Sequence, residues 1–423
     1  MSIQSKILFS RFLTRFGDQA WDFAVPLVLI QLFPGQIQLV SFLYLFSKIV
    51  QVFKGPSFQK KIDHKDRLSI YKIGIGYQTI AMFFMWLLIS LLFINQINHT
   101  FLQRILIFLA FGALSAMANL GSSLMDTSVG FDLAVDLLDQ NELTEFNSRL
   151  KRLDLLTEVT APIFTGLILS LFMVKSDLIG FTLIALLNLF TFLPEFLLLR
   201  SVPNINKGKE VLSKDSEEKS FIETLKISYS ELKGKSYTPV IISYALLWLS
   251  ILSPHGVLLT SYLKDGAKVS EFTIGLFRGA GAVFGLIPTF LYPILKSKMG
   301  ITKASRLLLT TQFVCVFFAG ISFYFVNSSI YPFLILILFS RIGLYGYSIG
   351  ETELRQALIP REKRGIVNGV ANSITSLATL VLFFLGTVFG SFNNFGILIA
   401  ISIISIALGL IISYKINQDC HST

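Results

Sequence analysis

The stretch FGILIAISIISIALGLIIS, Phe395 to Ser413, runs for 19 residues without a charged side chain. As an α-helix it rises about 1.5 Å per residue, a length close to the ~30 Å of a bilayer's hydrocarbon core. It is apolar on every side, whereas a helix on the surface of a soluble domain keeps a polar face. The segments Ile80 to Ile94, Ile105 to Leu120 and Leu178 to Leu199 read the same way. Over all 423 residues, 53% are hydrophobic and 15% charged, where soluble domains carry roughly 25% charged residues. That is more apolar sequence than a soluble core encloses. A transmembrane β-barrel would show segments of about ten residues alternating apolar and polar, and that alternation is absent.

The fold class is therefore an all-α membrane protein, with twelve spans expected near 8–33, 37–57, 69–95, 103–126, 152–174, 178–200, 237–263, 272–295, 303–326, 331–351, 365–390 and 395–414. The net charge of +10 is spread unevenly about these spans. Of the 36 Lys and Arg residues, 29 lie at the amino terminus (Lys6, Arg11, Arg15), in every second loop, or at Lys415. The opposite loops hold only Arg104, Lys175, Lys264 and Lys268, while Lys48, Arg278 and Arg341 fall within spans. Loops rich in Lys and Arg stay in the cytoplasm, which places both termini and the long 201–235 loop there and requires an even number of spans. The same one-sided distribution argues against nucleic acid as the partner of a basic chain. Gly17, Asp18 and Asp22 interrupt the first apolar segment and no small-residue cleavage site follows it, so a retained span is expected rather than a signal peptide. Cys315 and Cys420 make no disulfide framework and leave the redox compartment open.

Residues 201–235 carry Lys207, Lys209, Lys214, Asp215, Glu217, Glu218 and Lys219 with few apolar residues, the pattern of a solvated linker. It divides the chain into an amino half, 1–200, and a carboxy half, 236–423, of six spans each. Six plus six is a transporter architecture, and corresponding interrupted helices in two such halves point to a substrate site. Span 1, with Gly17-Asp18 and Asp22 to Pro26, and span 7, with SPHG from Ser253 to Gly256, are the candidates, and a break is expected in each. Between spans 2 and 3, GPSFQKKIDHKDR (Gly55 to Arg67) loosely resembles the short basic loop of major facilitator transporters. Its plainer reading is a positively charged turn that sets topology. The clusters Arg149 to Asp154 and Arg361 to Gly365 take related cytoplasmic positions. Arg152, Asp154 and Arg364 are expected to act in gating, by pairing across the halves in an outward-facing state.

An ionisable group inside the bilayer costs roughly 2.5–3.5 kcal/mol on insertion scales, so each one calls for a pathway, a partner or a bound ion. Thr14, Asp18 and Asp22 recur at one-turn spacing on one face of span 1. Asn188, Thr191 and Glu195 form a polar stripe on span 6, Gln78 adds an amide in span 3, and His255 lies in the interrupted part of span 7. Carboxylate, amide and hydroxyl oxygens suit hard or borderline divalent cations, and imidazole shifts the preference toward iron, cobalt, nickel, copper or zinc. Competing readings are a salt bridge from Asp18 to Arg11 or Arg15, and a His255 that donates to a carbonyl freed by Pro254. Glu195 could instead snorkel to the interface, and Gln78 and Asn188 could act as interhelical hydrogen-bond glue. Arg278, Arg341, Glu351 and Glu353 read as structural or gating groups, and Arg278 has no carboxylate partner nearby in sequence. No thiolate cluster, phosphate-binding loop or nucleophile–base pair is present, so no enzyme is expected.

These residues, over nearly the whole chain, resemble the ferroportins, iron exporters of the major facilitator class, and especially their bacterial members. The likeness rests on TRFGDQAWDFA (Thr14 to Ala24), NSRLKRLD (Asn147 to Asp154), NLFTFLPE (Asn188 to Glu195), SPHG (Ser253 to Gly256) and RGIVNGV (Arg364 to Val370). It implies a major facilitator fold and a site for divalent transition metal formed by Asp18 with Thr14, Asn188, Thr191 and Phe192. It also implies a second site at His255, and calcium binding by Asp18, Gln78, Asn188 and Glu195, all oxygen donors. Animal ferroportins place a cysteine near the position of His255 and a histidine in span 11, but here Ile366 to Gly386 has no histidine. The carboxy-half site is therefore not carried over whole, nor is hormone control through that cysteine.

The function expected is export of Fe²⁺, with Co²⁺, Ni²⁺, Mn²⁺ and Zn²⁺ as related cargo, in exchange for protons, by a monomer embedded in membrane lipid. Protons enter because a ligand must be deprotonated to bind metal. The alternatives are a major facilitator efflux pump for small organic cations and a metal-sensing receptor without flux.

Overall fold

The computed structural model describes residues 3–59, 61–94, 101–133, 137, 140–172, 177–203, 205–206, 230, 232–325, 329–359 and 364–416. Most of the 201–235 linker, Arg361 to Lys363, Cys420 and the side chain of Arg364 lie outside the described residues. The described secondary structure is helical throughout. The principal helices are α1 (Ile3–Leu32), α2 (Ile37–Gln59), α3 (Arg67–Ile94), α4 (Phe101–Thr127), α5 (Gln140–Phe172), α6 (Asp177–Arg200), α7 (Thr238–Leu247), α8 (Val257–Ser261), α9 (Glu271–Phe325), α10 (Tyr331–Leu358), α11 (Arg364–Phe389) and α12 (Phe395–Ser413).

Among the described residues nine helices are long and apolar enough to cross a membrane. Helix α1 has the length but carries Arg11, Arg15, Asp18 and Asp22. Helix α9 covers two expected spans, folded at Gly300, whose φ of 79° lies in the left-handed region that glycine enters without steric cost. Span 7 is divided between α7 and α8, and Tyr262–Gly266 continues it as a wider π-turn. Every expected span thus has its helix.

Three expectations about local structure are corrected. Span 1 is not broken: α1 runs through Gly17-Asp18 and through Pro26. Pro26 cannot donate to the carbonyl of Asp22 four residues earlier, but unwinding the neighbouring turns would leave further backbone groups in hydrocarbon without water. One lost bond costs less than several. Second, Arg149 to Asp154 is not a loop cluster but part of α5, which starts at Gln140. Third, the basic segment between spans 2 and 3 is largely helical, with α2 reaching Gln59 and a further turn at Lys61–His64.

That basic segment does more than set topology. Lys61 lies over the Phe58 ring at 3.7 Å. Asp66 caps α3 by accepting from the Ser69 amide at 3.1 Å, and hydrogen bonding by Ser69 holds its carboxyl below the usual range. Arg67 is fully buried and donates to the Ile205 carbonyl at 2.6 Å, while Lys6 donates to Ser201 O at 2.8 Å. The chain leaving α6 is pinned by both.

The helices cluster into two units. The first takes in the described residues within Met1–Pro34, Phe42–Glu218 and Lys268–Gly279, and the second those within Gly35–Ser41, Lys219–Ala267 and Ala280–Thr423. In the first, α1 packs against α5 and α6, and α3 against α4 and α6. In the second, α7 packs against α10, α11 and α12. Small residues let backbones approach, as is general for helices in lipid. A Cβ on Gly121 of α4 would come within 2.6 Å of the Gly74 carbonyl of α3 and 3.0 Å of Gln78 Cγ. Gly121→Val is therefore expected to force α3 and α4 apart at a cost of about 1–3 kcal/mol. A fall in the thermal midpoint of the detergent-solubilised protein is the check; an unchanged midpoint would show that the contact is slack.

Candidate cation site

The carboxylate of Asp18 is the centre of the polar interior of the first unit. Ser122 Oγ of α4 donates to it at 2.7 Å, and Gln78 Nε2 of α3 approaches its two oxygens at 3.4 and 3.5 Å. From α6, Asn188 Nδ2 donates to the Gly17 carbonyl at 2.7 Å. Glycine at 17 is what permits this, because a Cβ there would lie 2.8 Å from Asn188 Oδ1 and 3.1 Å from Thr191 Oγ1. Thr191 Oγ1 donates to Asn188 O at 2.7 Å and Thr14 Oγ1 to Ser10 O at 3.1 Å. Thr14 is also within hydrogen-bonding reach of Glu195, which in turn feels the charge of Asp18. Phe192 is buried beside this polar stripe on α6.

What the cluster lacks is donors. Gln78 Oε1, Asn188 Oδ1 and Glu195 Oε2 are buried and have no hydrogen-bond donor among the described residues. A buried acceptor without a donor loses the full hydration of that group, and three around one carboxylate is a set that a cation satisfies. No group of three or more His, Cys, Asp or Glu converges among the described residues, so the amide oxygens are essential to any such site. Glu195 is buried, not snorkelling to the interface.

The arginines of α1 do not pair with Asp18. Arg11 Nη1 lies 2.5 Å from Asp126 Oδ1, and Arg15 bridges Asp126 at 3.0 Å and Asp154 at 3.3 Å. Two guanidinium groups and two carboxylates close on themselves, which leaves the Asp18 carboxylate uncommitted to either. Asp154, expected in gating, is thus engaged within the first unit, and Arg152 is exposed.

In the second unit the chain between α7 and α8 is unwound, and two side chains satisfy its backbone. Ser402 Oγ of α12 accepts from the Ile251 amide at 3.0 Å, and Arg341 Nη2 of α10 donates to the Leu252 carbonyl at 2.7 Å. Pro254 and His255 fit against Gly281 of α9, where a Cβ would meet Pro254 carbons at 2.7 Å and stand 3.7 Å from His255 Nε2. Arg341 is therefore structural here, a cap on irregular backbone that lipid alone could not tolerate. It also sets a permanent positive charge beside the segment that carries His255. Glu351 pairs with Arg355 at 2.7 Å, and Glu353 with Lys296 and, at 2.8 Å, the Tyr292 hydroxyl.

The structure brings together Asp18, Gln78, Asn188, Thr191, Thr14 and Glu195 in the first unit and holds His255 in the second. Sequence reasoning missed Ser122 and Asp126. Ser122, a small hydroxyl of a kind common in membrane helices, carried no signal. Asp126 was signalled, because it closes an apolar span and has no Lys or Arg nearby in sequence, so a partner on another helix was required. Removal of that partner by Asp126→Ala leaves Arg11 buried and unpaired, with an expected loss of about 3 kcal/mol. The check is a marked drop in thermal midpoint that Asp18→Asn does not reproduce.

Residues 2–406 match the model of the family described as Ferroportin1 (FPN1). A protein named ferreportin from Bdellovibrio bacteriovorus is 42% identical over 98% of this chain and 94% of its own length. The structure superposes on the crystal structure of a bacterial homologue of the iron transporter ferroportin in its inward-facing state, with a TM-score of 0.87, 40% identity and coverage of 98% and 99% of the two chains. A bacterial homologue of ferroportin in its outward-facing state with soaked iron gives a TM-score of 0.66 at 39% identity, over 99% of this chain and 100% of that one. At the level of fold alone, a D-xylose-proton symporter matches with a TM-score of 0.69 at 13% identity, over 99% of this chain and 97% of that one. With its helical spans, its oxygen-lined polar centre and these matches over nearly its full length, the chain belongs to the ferroportin family of membrane transporters.

Proposed function

We propose that the protein is a secondary transporter exporting Fe²⁺ and related divalent metals, Co²⁺, Ni²⁺, Mn²⁺ and Zn²⁺, from the cytoplasm. The observation that carries this reading is the set of three buried acceptor oxygens without donors among the described residues, on Gln78, Asn188 and Glu195, around an Asp18 carboxylate that accepts from Ser122 and makes no direct ion pair. Asp18 with Thr14, Asn188, Thr191 and Phe192 holds transition metal in the amino half. His255, on irregular backbone, holds it in the carboxy half. Calcium takes Asp18, Gln78, Asn188 and Glu195, since its six to eight ligands are all oxygen; Asp18 thus serves two cations in different states. The halves 1–200 and 236–423, joined by 201–235, give alternating access, with Arg152, Asp154 and Arg364 in the cytoplasmic gate. Protons return as metal leaves, because Asp18 and His255 must both be deprotonated to bind it. The protein works as a monomer in the cell membrane, surrounded by lipid.

In proteoliposomes the wild type is expected to carry Co²⁺ and Fe²⁺, with an opposing proton flux read by an internal pH dye. Asp18→Ala and His255→Ala should each reduce the metal flux at least tenfold. Wild-type rates in both variants would overturn the site assignment, and flux of organic cations without metal would favour the efflux-pump reading. Glu195→Gln should weaken Ca²⁺ binding in calorimetry of the purified protein.

A further inference from the structure

The first unit contains a third arginine, and it is treated differently from the other two. Arg278 stands on the first part of α9 and is buried. Its position is fixed by glycines on either side: a Cβ at Gly279 would meet the Val159 carbonyl of α5 at 2.9 Å, and one at Gly275 would strike the Pro162 carbonyl. So seated, its Nη2 donates to Gln19 Oε1 at 3.2 Å and its guanidinium carbon lies over the Phe23 ring at 5.7 Å. Gln19 and Phe23 are one turn apart on α1, and Asp22 lies between them. Asp22, Tyr44 and Glu158 are all within electrostatic reach of the guanidinium.

Arg11 and Arg15 provide the internal comparison. Each closes on a carboxylate at 3.3 Å or less. Arg278 has no direct carboxylate partner among the described residues; it is held by a neutral amide and a ring face. Asp22 is exposed and likewise makes no direct ion pair or hydrogen bond among the described residues. A buried arginine kept for stability would be joined to its carboxylate, because an unpaired buried charge is costly. This one is kept near a carboxylate and apart from it, one helical turn beyond Asp18.

We infer that Arg278 is a tethered counter-ion of the cation path, held by Gln19 and Phe23 so that it partly balances Asp22 when no cation is bound and its charge opposes a divalent cation at Asp18, one helical turn from Asp22 on α1. Guanidinium does not lose its proton in proteins, so the opposition is constant and does not depend on pH. It lowers affinity enough for the cargo to leave a site that would otherwise retain it. The inference rests on the proposed metal binding at Asp18 and concerns how tightly the site binds.

The test is Co²⁺ calorimetry on the purified full-length protein, together with Co²⁺ flux in proteoliposomes. Arg278→Gln keeps a side chain that reaches Gln19 and removes the charge; it is expected to bind Co²⁺ about tenfold more tightly and to turn over more slowly. Arg278→Lys, which keeps the charge and loses the planar stacking on Phe23, should retain wild-type affinity. Unchanged or weaker affinity in Arg278→Gln, or a lysine variant that behaves as the glutamine one does, would overturn the assignment and leave the arginine a packing group. If Arg278→Gln alone does not fold, the neutral pair Asp22→Asn/Arg278→Gln is compared with Asp22→Asn, and loss of the arginine must again tighten binding about tenfold. Absence of Co²⁺ binding in the wild type would instead reject the metal site itself, a result distinct from any of these.

Discussion

A polar group inside a bilayer has no water to fall back on, and the whole organisation of this protein follows from how each such group is satisfied. The Arg11, Arg15, Asp126 and Asp154 cluster satisfies itself, with charges of both signs in direct contact. The unwound segment before α8 is satisfied by Ser402 and Arg341. Around Asp18 the same rule is left incomplete: oxygens of Gln78, Asn188 and Glu195 are buried without donors among the described residues. Beside it, the Arg11, Arg15, Asp126 and Asp154 groups are joined in direct ion pairs, and that contrast marks the oxygens around Asp18 as the unbalanced part of the first unit.

Glycine makes the approach distances possible. Gly17 admits Asn188 and Thr191 to the backbone of α1, Gly121 lets α3 and α4 close on Gln78, and Gly281 admits Pro254 and His255 to α9. None of these glycines carries chemistry. Each removes a Cβ that would hold a polar or packing side chain away from its neighbours, so which groups meet depends on helix packing as much as on residue identity.

The two units treat charge unequally. In the first, the uncommitted groups are acidic or neutral oxygens, with Arg278 held one step back. In the second, the segment that bears His255 lies against the positive charge of Arg341. The surroundings of His255 thus offer less negative charge than those of Asp18.

Much of the fold was legible in the sequence. Long apolar runs at bilayer length and Lys and Arg concentrated in alternate loops are properties of composition along the chain, independent of how helices later pack. Asp18, Gln78, Asn188 and Glu195 could be singled out because a polar residue in an apolar span is anomalous wherever it stands. The break in span 7 was readable for a related reason, since Ser253, Pro254 and Gly256 act together on a few consecutive residues, whereas the lone Pro26 in span 1 was overridden by the cost of unwinding. Partnership was not readable. That Arg11 and Arg15 answer Asp126 and Asp154, that Ser122 reaches Asp18, and that Arg278 rests on Gln19 and Phe23 are contacts between residues far apart in the chain. The sequence determined which groups would need partners in lipid; only the tertiary structure decided which were given one and which were left without one, because that choice is made by the closeness of helix backbones.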